Sequence, residues 1–284
     1  MPGPQQKHPT EGLRWQGEIG EKWNTHHERF ESMIAPIGAA LIEAAAFRPG
    51  ESVIDVGCGA GATTMDIARR IAPGGQVIGL DISPVLVRTA GRRARAAGLT
   101  NATFVEGDAA MASPGDRCDC LFSRFGVMFF DAPHAAFANM HKFLKPGGRL
   151  LFSCWGPISE NPWVREPMEV VMTHKELPAP VPRAPGPFAF AENEYVRGIL
   201  TSARFTDISF TEWRGKQCVG GAGADARQAA QFLVDAASIG EALTGEPQEL
   251  RDRVIADLAR LFAKYEGPDG VRVTAMAWLV AARA

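Results

Sequence analysis

Several features that would assign the chain to a membrane or secreted class are missing from its 284 residues. No uninterrupted apolar stretch reaches the ~20 residues that a helix needs to cross a bilayer. The first residues are rich in proline, glycine and glutamine, where a signal peptide would have its apolar segment. We therefore expect a cytoplasmic protein without a membrane span.

Cysteine and tyrosine are both scarce. The five cysteines, an odd number, fit buried reduced thiols better than a disulfide framework, and they indicate a reducing compartment. Cys118 and Cys120 fall on one face of a predicted strand, but no further ligands lie nearby, so no metal site is predicted. Neither Tyr195 nor Tyr265 is followed by a lysine four residues later. The Tyr-x-x-x-Lys pair of a nicotinamide-dependent oxidoreductase is therefore missing.

Net charge is also small. The 30 basic and 32 acidic residues give a formal charge of −2 at pH 7, which offers no general attraction to phosphate backbones. A short basic run is predicted to form the solvent-facing side of one helix, at Arg88, Arg92, Arg93 and Arg95. We therefore expect no nucleic-acid partner. The remaining composition is that of a globular protein, large enough for one domain with a cap.

What the sequence does contain is a glycine-rich run at residues 53–64, VIDVGCGAGATT, which predicts a buried strand, a tight turn and a helix. Glycine at positions 57, 59 and 61 would let the backbone turn tightly and let a ligand approach its N–H groups. The following helix would direct its N-terminal dipole at that ligand. The same glycines fit the dinucleotide fingerprint, so a nicotinamide-dependent oxidoreductase is one alternative.

Asp55 lies inside the predicted strand, two residues before the first glycine. A dinucleotide-binding strand would more often carry an apolar residue there. Because a buried carboxylate is costly unless it is paired, we expect Asp55 to face an ammonium group of the ligand or the N–H groups of the turn. This residue favours a ligand other than a dinucleotide.

Strands and helices then alternate at the rhythm of a parallel sheet with right-handed crossovers. Ligands of such sheets bind at the carboxyl ends of the strands. Asp81, Asp108 and Ser123 stand at the ends of the second, third and fourth strands, and Asp81 follows Gly57 by 24 residues, close to the spacing of an acid that binds a ribose diol. The predicted strands are 52–57, 76–82, 102–107, 118–126, 149–155, 205–213 and 271–282.

The N-terminal segment, residues 1–34, precedes this alternation. Residues 1–12 are predicted to be disordered, and an amphipathic helix is predicted from Glu18, with a second helix from Pro36 to Ala46. Trp23, His26 and His27 lie on or beside the apolar stripe of the first helix. We interpret this segment as a tail and a lid helix, with simple packing as the alternative.

A second segment, residues 156–190, interrupts the alternation after the fifth strand. It joins an amphipathic stretch to a proline-rich one, which is stiff and extended. We interpret it as a substrate cap, with a linker as the alternative. Residues 35–155 would form the ligand-binding core, and residues 191–284 its C-terminal part.

Together these motifs resemble those of class I S-adenosylmethionine-dependent methyltransferases over about residues 35–284. They are most similar to the bacterial small-molecule group that includes ubiquinone and menaquinone C-methyltransferases. The resemblance implies an α/β fold, a Rossmann-like doubly wound sheet of seven strands in the order 3-2-1-4-5-7-6 with the last strand antiparallel. It rests on residues 53–64, GLDIS at 79–83, GDA at 107–109, SRFGVMF at 123–129 and LKPGGRL at 144–150.

The resemblance also implies which residues bind S-adenosylmethionine. Asp55 and the glycine loop would hold its methionine part, Asp81 the ribose hydroxyls and Asp108 the adenine amino group. Ile82 and Ala109 would cover the adenine faces, while the residues at the end of the fourth strand would contact the methionine end through backbone carbonyls. The full set is Asp55, Gly57, Cys58, Gly59, Gly61, Thr63, Asp81, Ile82, Asp108, Ala109, Ser123 and Arg124.

The implied function is transfer of a methyl group from S-adenosylmethionine to a small, partly apolar molecule by in-line displacement, with S-adenosylhomocysteine as product. Such a protein mainly aligns the reactants and excludes water. A base is needed only when the acceptor must lose a proton, and the candidates are His26, His27 and His134, with structural roles as the alternative. A non-catalytic S-adenosylmethionine-binding accessory protein is a further alternative. The oligomeric state stays open, with a homodimer as one possibility.

The acceptor is expected to lie beneath the cap and the N-terminal helix, in a mostly apolar pocket. The end of the fourth strand, Ser-Arg-Phe-Gly, differs from the Asn/Asp-Pro-Pro-Tyr type of many nucleic-acid methyltransferases, which disfavours a nucleobase acceptor. Trp155 and Trp163 are expected to be exposed at the hinge of the cap. The candidate lining residues are Trp23, Phe125, Met128, Phe129, Trp155 and Trp163.

Overall fold

The computed structural model describes residues 10–113 and 115–284. Within them eight strands form one sheet in the order β3-β2-β1-β4-β5-β8-β6, and the two-residue β7 pairs only with β8. Strands β3, β2, β1, β4 and β5 are parallel, and β8 is antiparallel to both β5 and β6. The strands are β1 (Ser52–Val56), β2 (Gln76–Asp81), β3 (Ala102–Glu106), β4 (Cys118–Arg124), β5 (Leu144–Trp155), β6 (Thr206–Cys218), β7 (Glu266–Gly267) and β8 (Gly270–Arg283).

This topology confirms the fold expected from the resemblance, because β8 is the predicted seventh strand in its predicted place. The expected count of seven strands is corrected to eight. The additional strand, β7, forms a short turn with the start of β8, where Glu266 pairs with Val271. Two residues give too short a pattern for a strand to be recognised from the sequence.

The pair β6 and β8 extends beyond the rest of the sheet. Trp155, the last residue of β5, pairs with Ala277, whereas β6 and β8 remain paired as far as Cys218 and Arg272. Because β6 is antiparallel to β8 and β8 is antiparallel to β5, β6 runs parallel to β5. Its carboxyl end therefore projects from the same edge of the sheet as the glycine-rich turn.

Helices surround the sheet. No helix within residues 10–113 and 115–284 is both long and apolar enough to cross a membrane. The helices are α1 (Glu11–Gln16), α2 (Glu18–Thr25), α3 (His27–Ala45), α4 (Ala62–Arg70), α5 (Pro84–Ala96), α6 (Pro133–His141), α7 (Pro162–Met172), α8 (Asn193–Ser202), α9 (Ala226–Ala236), α10 (Ser238–Ala242) and α11 (Gln248–Phe262).

The N-terminal helices differ from the sequence prediction. Residues 1–9 of the predicted disordered tail lie outside the described residues, but helical structure begins at Glu11 rather than at Glu18. The helix predicted to start at Pro36 begins nine residues earlier, at His27, and includes that proline. Apolar side chains on both sides of Pro36, among them Met33 and Ile37, are buried. Their burial offsets the hydrogen bond that proline cannot make.

The two faces of the sheet are covered by different helices. On one face α3 and α4 pack against the strands, with Leu41 and Ile67 in the same buried cluster as Phe122. On the other face, Phe137 of α6 lies 5.7 Å from Phe152 of β5, measured between ring centroids. Between β6 and β7 the chain forms three helices, α9 to α11.

Because α3 is part of the core, we expect Ile37→Ala to destabilise the protein strongly. Ile37 is completely buried, and truncation of a buried isoleucine costs about 2–5 kcal/mol of unfolding free energy. Glu43→Ala on the exposed side of α3 is the matched control and should change that free energy by less than about 0.5 kcal/mol. Chemical denaturation measures both, and equal effects would show that α3 is not a core helix.

Candidate active site

The glycine-rich turn joins β1 to α4 with three glycines in the left-handed region. Their φ angles are 69° at Gly57, 56° at Gly59 and 85° at Gly61. A Cβ at Gly57 would lie 2.8 Å from the Cα atom of Gly126, in the loop after β4, and one at Gly61 would lie 2.9 Å from Cβ of Ala90. A Cβ at Gly59 would have only Nε1 of a tryptophan nearby, at 3.7 Å. Packing thus restricts the outer two positions, while the middle one faces the N-terminal helices.

Asp55 lies at the centre of the site and is completely buried. Its Oδ2 accepts hydrogen bonds of 2.7 Å from the hydroxyls of Thr63 and Thr64, at the start of α4. Its Oδ1 is buried without a hydrogen-bond partner among the described residues. Burial raises the pKa of this carboxyl group to about 6, although the two threonine hydroxyls oppose that shift. The turn's N–H groups, one of the expected partners, do not bind this carboxylate.

Asp81, at the end of β2, holds the turn in place. Its Oδ2 accepts a 2.8 Å hydrogen bond from the backbone N–H of Gly59, and its Oδ1 accepts one of 2.9 Å from Ser83. Burial raises the pKa of Asp81, against the lowering effect of these N–H groups. Asp108, beyond the end of β3, accepts a 2.8 Å hydrogen bond from the N–H of Ala110. The strand ends thus carry two acids held by local backbone donors.

The other predicted cofactor residues lie around the same strand ends. Cys58 is buried beneath the turn, where a Cβ at Gly79 of β2 would approach its sulfur to 2.9 Å, and burial raises the pKa of its thiol. Ala109 is buried as well. Ile82 contacts the first helix, because a Cβ at Gly12 would lie 3.2 Å from its Cδ1.

The end of β4 contributes a serine and an arginine with different surroundings. The hydroxyl of Ser123 donates to the carbonyl of Val56 at 2.7 Å and accepts from the N–H of Gly126, so it joins the ends of β1 and β4. The side chain of Arg124 packs against α3, where a Cβ at Gly38 would lie 2.8 Å from its Cδ. Burial lowers the pKa of its guanidinium, and the neighbouring acids oppose that shift. No hydrogen bond or ion pair joins this guanidinium to any described residue.

The N-terminal helices α1 and α2 cover the turn and the end of β2. Gly20 of α2 packs so closely on Ser83 that a Cβ at this position would overlap Oγ of the serine. The tryptophan that faces Gly59 is Trp23, through its Nε1. Trp23 stacks on Phe30 with ring centroids 4.0 Å apart. The ring centroid of Trp23 also lies 5.7 Å from that of Trp15. These three residues form a hydrophobic layer over the turn, and Phe129 and Phe232 pack against it. The five residues are called the aromatic cover below.

Two residues next to the turn were not recognised from the sequence as part of the site. The ring centroid of Trp15 in α1 lies 5.0 Å from that of Phe129, so Trp15 joins the N-terminal segment to the loop after β4. Its helical spacing, four residues before Ile19 and eight before Trp23, could have indicated this role. Arg93 belongs to the basic run that was predicted to face solvent. It forms a two-bond ion pair with Glu31 and donates to the carbonyl of Ala60 at 2.6 Å. No feature of the local sequence distinguishes Arg93 from the other three arginines of the basic run.

The three candidate histidines lie in different surroundings. His26, between α2 and α3, packs edge-on against Phe232 with ring centroids 5.8 Å apart. Nδ1 of His27 lies 2.8 Å from the carbonyl oxygen of Asn24. His134 is exposed on α6, and its Nδ1 lies 2.9 Å from Oγ of Ser202 on α8. Only the first of them contacts the aromatic cover, since Phe232 also packs on Phe30.

The candidate acceptor residues separate into two groups. Trp23 and Phe129 belong to the aromatic cover, whereas Phe125, Trp155 and Trp163 form a stack of their own. In that stack the ring centroids of Phe125 and Trp155 are 4.3 Å apart, and those of Trp155 and Trp163 are 4.8 Å apart. The expected exposure was wrong for Trp155, which is 5% exposed, whereas Trp163 is partly buried. Met128 is buried, and its carbonyl accepts a hydrogen bond from Gly186 of the predicted cap.

Comparison with known proteins shows what part of the chain is similar to. A family model described as a methyltransferase domain matches residues 53–148. The nocamycin O-methyltransferase of Saccharothrix syringae is 32% identical over 48% of this chain and 49% of its own length. The ubiquinone/menaquinone biosynthesis C-methyltransferase UbiE of Pectobacterium carotovorum is 33% identical over 39% of this chain and 45% of its own. The chain thus spans about half the length of these curated relatives.

Solved structures agree on the fold. The phosphoethanolamine N-methyltransferase 2 of Haemonchus contortus, solved in complex with S-adenosylmethionine, superposes with a TM-score of 0.57 at 17% sequence identity. The match covers 98% of this chain and 60% of that one. The sheet order, the glycine turn with its strand-end acids and these matches agree: residues 53–148 match a methyltransferase domain, and the fold is that of class I S-adenosylmethionine-dependent methyltransferases.

Proposed function

We propose that the protein transfers the methyl group of S-adenosylmethionine to a small, partly apolar molecule. The observation that carries this proposal is the buried Oδ1 of Asp55, which has no partner among the described residues although it lies beside the glycine turn. A buried acceptor without a donor is costly, so an external donor is the simplest reason for it. The names of the relatives, an O-methyltransferase and a C-methyltransferase, support methyl transfer.

The polar groups beneath α3 suit the methionine end of this molecule. An amino-acid group carries an ammonium, which needs acceptors, and a carboxylate, which needs donors. We propose that Asp55 accepts from the ammonium and that Arg124, whose guanidinium has no acceptor within the described part of the chain, donates to the carboxylate. The backbone of Gly57 and Gly59 would lie against the same end, with the adjacent Cys58, Gly61 and Thr63 maintaining the turn.

The remaining strand ends would hold the nucleoside. Each oxygen of Asp81 accepts one backbone hydrogen bond, and a carboxylate retains further lone pairs for ribose hydroxyls. Asp108 would accept from the adenine amino group, with Ile82 and Ala109 on the faces of the ring. When bound, S-adenosylmethionine supplies a methyl group activated by a positively charged sulfur. The chain's own residues would align the acceptor with that group and exclude water.

The N-terminal helices supply the means of excluding water. We propose that residues 1–34 include a lid, because Trp15 and Trp23 cover the turn and α1 contacts Ile82. If the acceptor must lose a proton, His26 is the histidine next to this cover. His27 and His134 bind a backbone carbonyl and a serine of α8, which supports structural roles. Residues 156–190 would complete the acceptor site as a cap.

We further propose a reducing, cytoplasmic environment. All five cysteines are free thiols, and four of them are buried, as is usual for proteins of reducing compartments. The partner would be the small-molecule acceptor, without nucleic acid, and a homodimer is one possible assembly.

The first test of the proposal is Asp81→Ala. Hydrogen bonds to a charged group contribute ~1.5–3 kcal/mol, and we expect S-adenosylhomocysteine binding to weaken by about 2–3 kcal/mol in calorimetry. Glu106→Ala is the matched control, because Glu106 pairs with Asp81 in the sheet but is exposed. Unchanged affinity in a folded Asp81 variant, or wild-type protein that binds NADH instead of S-adenosylhomocysteine, would contradict the proposal.

A second prediction concerns the pH dependence of stability. The pKa of Asp55 is about 6 in the folded protein and 3.8 ordinarily, so folding favours the protonated group. Burial of Asp55 therefore does not lower the free energy of unfolding below about pH 4. Above about pH 6 it lowers that free energy by its full amount, on the order of 3 kcal/mol. Asp55→Asn should therefore be more stable than wild type at pH 7.5, with a smaller difference at pH 4.5.

The same variant should bind S-adenosylhomocysteine less tightly, because the ammonium loses a charged acceptor. Asp66→Asn is the control, since Asp66 is 58% exposed on α4 and should change neither property. Thermal unfolding at both pH values and calorimetry provide the measurements. An Asp55→Asn protein that is less stable at pH 7.5, with unaltered affinity, would assign Asp55 a purely structural role.

A third prediction tests the lid. Trp23→Ala removes one member of an aromatic stack worth ~0.5–1.5 kcal/mol, so we expect S-adenosylhomocysteine to dissociate up to about tenfold faster. Leu13→Ala, at a 58% exposed position of α1, is the control. Stopped-flow fluorescence measures the rates. Dissociation at the wild-type rate would make the N-terminal segment scaffolding only.

A further inference from the structure

Gln217, near the end of β6, is a buried amide without partners. Its side chain is completely buried, and neither its Nε2 nor its Oε1 has a hydrogen-bond partner among the described residues. No other side chain in residues 10–113 and 115–284 has two such atoms. A primary amide offers two donors and an acceptor oxygen with two lone pairs. An unpaired group of this kind in a native interior calls for an explanation.

Asn161 shows how this fold satisfies a buried amide that serves packing. It is also completely buried. Its Oδ1 accepts hydrogen bonds of 3.0 Å from the backbone N–H of Met276 and from Nε1 of Trp163. Its Nδ2 donates to three carbonyls, those of Gly156, Pro157 and Met276. The two amides are equally buried, so burial alone does not account for the unpaired state of Gln217.

The position of Gln217 in the sheet relates it to the proposed site. It pairs with Val273 of β8, four residues from Ala277, the partner of Trp155. Paired residues share a face of the sheet, and so do residues an even number apart. Gln217 and Trp155 therefore lie on one face, with Cα atoms ~16 Å apart across two strand spacings and four residues. Arg124 packs against α3 on this same face, because it pairs with Ser153.

The end of β6 is held between α3 and α9. A Cβ at Gly221 would lie 3.1 Å from Cγ of Arg29 in α3, and one at Gly220 would lie 2.7 Å from Cα of Ala229 in α9. The N–H of Ala222 donates to Oγ of Ser32 at 3.0 Å. The same two helices carry the pair Phe30 and Phe232 of the aromatic cover. Gln217 thus lies on the carboxyl-end side of the sheet, three residues before the segment that packs against these two helices.

We propose that Gln217 binds the methyl acceptor, an inference that rests on the proposed function. Its amide presents an N–H donor and a carbonyl acceptor side by side. The matching ligand group has a carbonyl next to an N–H or O–H, as in a lactam or a hydroxyl beside a carbonyl. An ionised carboxylate would leave the amide oxygen unpaired. The acceptor class is therefore a molecule that carries such a donor–acceptor pair beside an apolar part that packs against the aromatic residues.

A binding experiment with two probes tests this proposal. With S-adenosylhomocysteine present, 2-quinolone, a bicyclic lactam, and quinoline, which lacks both the N–H and the carbonyl, are titrated by tryptophan fluorescence. Wild-type protein should bind 2-quinolone at least about tenfold more tightly than quinoline. Gln217→Met should lose this preference while it binds S-adenosylhomocysteine as the wild type does.

Stability measurements separate ligand binding from a structural role. Because the amide of Gln217 has no hydrogen-bond partner among the described residues, Gln217→Met should be at least as stable as the wild type, whereas Asn161→Leu should unfold at a lower temperature. Equal loss of stability in the two variants, or no preference for 2-quinolone in the wild type, would overturn the assignment of Gln217. So would a Gln217→Met protein that keeps the preference. Failure of wild-type protein to bind S-adenosylhomocysteine would instead overturn the proposed function, and this inference with it.

Discussion

Burial of the Asp55 carboxyl group is the constraint on which the site depends. The group lies in the sheet interior with only two hydroxyl donors, so its charged form is destabilised. A protein selected only for stability would replace this side chain with an apolar or neutral one, because unpaired buried charge is costly. The surrounding structure, from the start of α4 to the side chain of Arg124 beneath α3, is arranged around it.

The turn above Asp55 is fixed from three directions. Asp81 binds the N–H of Gly59 from β2, the loop after β4 contacts Gly57 directly, and Arg93 binds the carbonyl of Ala60 from α5. Each contact comes from a different strand or helix, so the turn is held before any ligand binds. A preformed loop loses little conformational entropy on binding, which favours tight and specific recognition.

The N-terminal helices are attached to this rigid site by weaker interactions. Their contacts with the rest of the chain include aromatic packing, as between Trp15 and Phe129, exposed ion pairs such as that of Arg14 with Glu241, and single hydrogen bonds such as that from the hydroxyl of Thr89 to Oδ1 of Asn24. Exposed ion pairs contribute ~0–1 kcal/mol, and both α1 and α2 are short. Such an attachment is compatible with the proposed lid, whereas α3, with its buried apolar face, is part of the core. The boundary between the proposed lid and the core would then lie near His26, where α2 ends.

The sequence by itself determined the glycine turn, the strand-end acids and the sheet order, since these depend on local patterns of glycine, apolar residues and turns and on a resemblance carried by short motifs. It did not determine that α3 continues through Pro36, that Trp155 is buried, or that Arg93 leaves its solvated neighbours to bind Glu31 and the turn. Nor did it indicate that the amide of Gln217 has no hydrogen-bond partner in the described part of the chain, while the amide of Asn161 makes five hydrogen bonds. Such features depend on contacts between residues far apart in the chain, and only the tertiary structure decides which side chains meet there and which polar groups are left unpaired.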